Sequence, residues 1–189
     1  MKKIYTLNLI AALAFIINGC TGPEGPVGQQ GPQGPKGDQG PAGESSYVFE
    51  FDNINFTAPD YDVLLTYPSS FEGFASDVTM VYLLWGTDQV NGETVDIWRP
   101  LPQSIFKSGG QLVYNFDFTK NDVRLFLTAD FSLDGLTAID TDDWVARVVV
   151  VPGNFWTSAR LDPSIGYNDL MELLKLNGIS VVDSVIHNP

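Results

Sequence analysis

The residues able to do chemistry are few and mostly isolated. In 189 residues there is one His, His187, and one Cys, Cys20. Asp183 and Ser184 stand near His187 and are the right residue types for a nucleophile–base–acid set. Yet no G-x-S-x-G elbow accompanies them, sequence proximity is not triad geometry, and chain ends tend to fray. One Cys cannot make an internal disulfide, a CxxC redox pair or a thiolate zinc site. No G-x-G occurs in the chain, so the dinucleotide fingerprint is missing. A flavin- or disulfide-dependent oxidoreductase is therefore excluded, and no enzyme is expected.

Acidic side chains are plentiful, 23 against 10 basic ones, for a net charge of −13. Nucleic-acid binding needs a Lys/Arg surplus, so no nucleic-acid partner is expected. So many carboxylates keep a hydrolase with two facing acids as an alternative; the plainer reading is solvated loop acids. Asp140, Asp142 and Asp143 concentrate three carboxylates between two apolar runs. Calcium takes oxygen ligands, which makes them the candidate calcium site, although Asp is also a common turn residue. No other cofactor is expected. Of the four Trp residues, Trp85 and Trp144 border apolar runs and read as core. Trp98 stands out of phase with Val95 and Ile97, and Trp156 sits in the loop-like Gly153-Asn154-Phe155-Trp156. Trp98 and Trp156 are the candidates for stacking on a ligand such as a sugar ring, with packing as the alternative.

These residues are distributed over three segments: 1–19, 20–45 and 46–189. In the first, Lys2 and Lys3 precede a mostly apolar stretch from Ile4 to Ile17. About 14 residues are too few to span roughly 30 Å of hydrocarbon, so the stretch reads as a signal peptide. The following Ile17-Asn18-Gly19-Cys20 resembles the bacterial lipobox. That resemblance implies cleavage after Gly19 and lipidation of Cys20, which would anchor the chain to a membrane. Several acyl chains, at about 0.8 kcal/mol per buried CH₂, make such an anchor permanent. An ordinary secretory signal with a chance Cys is the alternative.

In the second segment Gly occupies positions 22, 25, 28, 31, 34, 37, 40 and 43, and Pro follows Gly at 23, 26, 32, 35 and 41. This is the collagen-like G-X-Y repeat, in which only Gly fits at the axis of three polyproline II strands. Two readings stand: a trimeric stalk, or a monomeric spacer roughly 75 Å long at about 3.1 Å per residue. Eight triplets have little stability alone, so a homotrimer would need the following domain to associate.

The third segment predicts an all-β, β-sandwich-like domain with one short helix. Its 20 acidic and seven basic side chains carry the whole excess charge. Residues 111–118 and 122–131 alternate apolar and polar, the pattern of strands buried on one side. Residues 78–85 and 144–151 are nearly continuous apolar runs, as central strands are. Further strands are expected at 47–51, 54–57, 61–67, 94–99, 103–106 and 179–186, giving eight to ten in all. Asn91-Gly92, Gly109-Gly110, Asp134-Gly135 and Pro152-Gly153 supply turns. The helix is expected at 169–176, with Asp169 and Glu172 as a capping box and Gly178 as its stop. The absence of βαβ alternation opposes a doubly wound fold.

The runs 98–103 (WRPLPQ), 114–119 (YNFDFT) and 147–152 (RVVVVP), with the lipobox and G-X-Y stem, carry a further resemblance. The chain resembles collagen-like envelope lipoproteins of Bacteroidetes-type bacteria. The resemblance implies a lipid-anchored protein of the bacterial outer membrane or cell surface, and no activity. The expected function is a tethered binding or adhesion module for a glycan or another envelope protein. The alternatives are a structural trimer and a carboxylate-based hydrolase.

Overall fold

A computed structural model of the chain describes residues 45–187. The signal segment, Cys20 and the G-X-Y repeat lie outside the described residues. Among the described residues nine strands form two sheets: β1 (Ser45–Ile54), β2 (Asp62–Thr66), β3 (Val78–Val90), β4 (Glu93–Pro100), β5 (Gln103–Lys107), β6 (Gly110–Phe118), β7 (Asp122–Ala129), β8 (Trp144–Val151) and β9 (Ser180–His187). The five-stranded sheet has the order β4-β3-β8-β1-β9 and the four-stranded sheet the order β2-β7-β6-β5. All pairings are antiparallel except β1 with β9.

The core lies between the sheets. Phe49, Phe51, Val81, Leu83 and Val148 from one side meet Leu112, Tyr114, Val123, Leu125 and Leu127 from the other. The alternation of β6 and β7 is the signature of that single buried face. β3 and β8 have no such alternation because their sheet is buried twice. Its outer face, bearing Met80, Tyr82, Val149 and Val151, is covered by helices that contribute Phe155, Leu170 and Leu174. Burying both faces requires apolar residues at successive positions.

The helices are α1 (Ala138–Thr141), α2 (Gly153–Ala159) and α3 (Tyr167–Leu176), preceded by a 3₁₀ turn at Leu133–Gly135. The sandwich with a helix at 169–176 is therefore present, but the described residues form three helices where one was expected, and three local expectations need correction. The segment 153–156 is helical, not a loop, because Phe155 must turn into the outer layer. Asp169 and Glu172 form no capping box: α3 starts two residues earlier, after Gly166. Residues 54–57 are not a separate strand; Ile54 ends β1, and Thr57 makes only an isolated bridge to Asp62. The stop at Gly178 does hold. Its φ of 71° is left-handed, and the Ile179 and Gly178 amides bond to the Leu174 and Lys175 carbonyls at 3.0 and 3.1 Å.

Candidate functional site

The most apolar strand of the domain carries one charge. β8 reads WVARVVVV, and Arg147 lies in phase with Val149 and Val151 on the outer face, just beyond the cover of the helices. Placing a guanidinium at a position only 24% exposed costs desolvation that its neighbours must offset. Its Nε–H donates to Glu50 Oε2 at 2.8 Å, and Glu50 is the residue directly opposite on β1. The guanidinium carbon sits 4.0 Å from the Trp98 ring centroid and 4.7 Å from that of Tyr167. The two rings are 5.9 Å apart and tilted by 44°, so Arg147 occupies the angle between them. Each such contact is worth about 0.5–2 kcal/mol, more as water is excluded.

Three distant parts of the chain hold this arrangement. Trp98 comes from β4, and Tyr167 is the first residue of α3. Tyr82 on β3 meets the Tyr167 ring edge-on at 5.4 Å, and its hydroxyl donates to the Ile165 carbonyl at 3.1 Å. That bond fixes the turn leading into α3. Burial raises the pKa of the Tyr167 phenol and Asp183 and Glu50 add to the rise, although nearby Arg147 opposes it. The phenol therefore stays protonated at neutral pH, available as a donor and an acceptor.

Asp183, Ser184 and Val185 of β9 complete a cleft of about 330 Å³ beside Glu50, Arg147 and Tyr167. In the parallel β1–β9 register Asp183 pairs with Val48 and Glu50 with Val185. Side chains two apart share a face, so both carboxylates project on the same side of neighbouring strands. The cleft thus offers a guanidinium, a phenol and two carboxylates around the Tyr167 ring, while the Ser184 side chain takes the opposite face with its register partner Phe49. With Glu50 engaged by Arg147, this is an arrangement for holding a polar ligand.

The other candidates are dispersed. Trp98 does not line the cleft: it is half-buried behind it, with Arg147 against its ring. Trp156 packs with α2 against the outer layer. Trp85 and Trp144 pack on the main core, their rings 5.2 Å apart. Asp140 does not face a calcium site: its carboxylate is buried, paired with Lys107, and accepts from the Thr137 amide and hydroxyl at 3.2 and 3.0 Å. Asp142 and Asp143 are exposed. No three acidic, His or Cys side chains among the described residues converge on a metal position. His187 pairs with Asp52 of β1, its Nδ1 2.6 Å from Oδ2, rather than with Asp183 or Ser184. Cys20 lies outside the described residues.

Sequence reasoning missed Arg147, Glu50 and Tyr167 as a group. One signal was available: Arg147 is the only charge in the run 144–151, and a lone charge in a strand that must be buried needs a partner.

A second concave region lies where β1 begins. Clefts of about 270 and 400 Å³ flank the loop after β2, sharing Phe71, Phe74 and Asp77. Tyr47, Phe49, Tyr67 and Phe71 form a ring cluster beneath them, with Phe71 5.0 Å from both Phe49 and Tyr67. Burial pushes the Tyr67 phenol up to about 12, and its hydroxyl is 3.3 Å from that of Thr79.

Comparison of the chain with protein-family models, with curated proteins and with solved structures finds no match.

Proposed function

We propose that this chain is a lipid-anchored envelope protein of the bacterial outer membrane or cell surface. Its β-sandwich is a binding or adhesion module, held off the membrane by the G-X-Y segment. The order of parts supports this: a lipobox-like Ile17–Cys20, eight strict triplets, then a folded domain starting at Ser45. The observation that carries the binding role is the Arg147 cleft. A guanidinium, carboxylates and the Tyr167 phenol and ring suit a polyhydroxylated ligand, so the ligand class is a glycan.

Two experiments test the reading. Cys20→Ser should release the protein from the membrane fraction; retention would end the anchor assignment. For binding, the chain from residue 20 with Cys20→Ser is applied to a glycan array alongside its Arg147→Ala variant. Binding that the variant loses supports the module. No bound glycan, or binding indifferent to Arg147→Ala, refutes a glycan site at this cleft.

A further inference from the structure

β3 and β1 both run antiparallel to β8, so they point the same way. The chain enters the domain at Ser45, level with the start of β3, and β3 leads away from that end. Its pairing with β8 covers only Val78–Leu83, whereas β3 continues to Val90 and returns as β4 through Asn91-Gly92. β8 begins at Trp144, two residues before Ala146, the partner of Leu83. Gly86–Val90 and its β4 partners therefore form a two-stranded arm, reaching roughly 16 Å past β8 at about 3.3 Å per residue. It stands at the pole opposite the chain's entry.

The arm has two open edges and one face that combines exposed apolar and acidic side chains. A register shift at Trp85 places Gly86 opposite Ile97. Val90, Val95 and Ile97 then share, with Asp88 and Glu93 directly opposite Val95 and Val90, the face that inside the domain packs on the four-stranded sheet. They are 48, 37 and 40% exposed. The same pole exposes Phe106 and Ile139, neighbours of the Lys107–Asp140 pair. The opposite face of the arm carries Thr87, Gln89, Thr94 and Asp96. Two strands alone are marginally stable in water, and free edges are templates for a further strand. The charge is of one sign: Asp88, Glu93 and Asp96 are acidic, and no Lys or Arg occurs between Lys36 and Arg99. A second copy would bring like charges together across the edge.

We propose that this arm is a docking edge for an extended, basic and apolar segment of another polypeptide, which adds as a strand beside β4. Main-chain hydrogen bonds supply affinity, and side chains in alternation meet Val95, Ile97 and the carboxylates. The proposal goes beyond the glycan reading and does not depend on it. Neither the membrane anchor nor the Arg147 cleft enters the test, so their failure is read separately.

The probe is a nine-residue peptide alternating Val and Lys, with a control of equal charge N-methylated at alternate residues. Both are titrated onto the chain from residue 20 with Cys20→Ser. Expected are amide-exchange protection confined to β4, binding at least about tenfold weaker for the methylated peptide, and a similar loss in Asp96→Lys. Ile97→Thr, which preserves β propensity, should also weaken binding. Equal binding of the two peptides, no binding, protection at another strand, or self-association of the chain through β4 would each overturn the proposal.

Discussion

Arg147 and Glu50 face each other across the β1–β8 ladder, joined by a 2.8 Å bond from Nε–H to Oε2, and Trp98 and Tyr167 flank the same guanidinium. The planar group meets a carboxylate at its edge and rings at its faces, which an ammonium cannot reproduce. Arg147→Ala should cost about 1–3 kcal/mol in urea unfolding, combining lost ring contacts with an unpaired, partly buried Glu50. Arg147→Lys should restore only part of it. Full recovery with Lys would mean that charge alone matters.

Asp140 is the buried acid whose contribution should depend on pH. Burial alone would raise its pKa, but the bonds from Lys107 and from the Thr137 amide and hydroxyl together hold the carboxyl below its ordinary range. Its folded value is thus below the unfolded one, near about 3.9. The stabilisation is complete above that unfolded value and is lost as pH falls through the folded one. Asp140→Asn should cost about 1–3 kcal/mol at pH 7, with the gap to the parent narrowing in more acidic buffers. Denaturant titrations across pH 2–7 would check it, and a constant gap would contradict the assignment.

Two glycines in helical turns should respond oppositely. A Cβ at Gly153 would lie 2.1 Å from the Ser76 carbonyl oxygen, whereas at Gly135 nothing lies within 4 Å. Gly153→Ala must push α2 away from the loop before β3, at a cost of about 1–3 kcal/mol or more. Gly135→Ala should leave the melting temperature unchanged or slightly raised.

His187 ties the end of the edge strand β9 to Asp52 on β1. Both side chains are substantially exposed, 79 and 37%, so the effect should be local. His187→Ala is expected to speed amide exchange in the last turns of the β1–β9 ladder while leaving global unfolding unaltered. A large drop in overall stability would contradict this.

The eight triplets raise the question of assembly. Light scattering on residues 20–189 with Cys20→Ser, with and without the repeat, separates the two stalk readings. A monomer in both forms establishes the spacer. A trimer that dissociates when the triplets are removed shows that the repeat contributes to assembly.

Sequence by itself determined the properties carried by short periods. A period of two placed Leu112, Tyr114, Leu125 and Leu127 on buried faces, because neighbouring side chains of a strand point opposite ways. Unbroken apolar runs identified β3 and β8 as central, and the left-handed turn at Gly178 was legible because few residues other than Gly adopt it readily. The G-X-Y period and the lone Cys20 are likewise read from spacing alone. Tertiary structure decided what depends on pairing across long separations. Only the order β4-β3-β8-β1-β9 brings Glu50 opposite Arg147, 97 residues apart, and lets α3 set Tyr167 beside them. The same order turned Asp140 inward to Lys107, gave His187 the partner Asp52, and left β3 to outrun β8 into an arm. Local sequence sets which face a side chain takes; which other chain segment that face meets is set by packing the whole core at once.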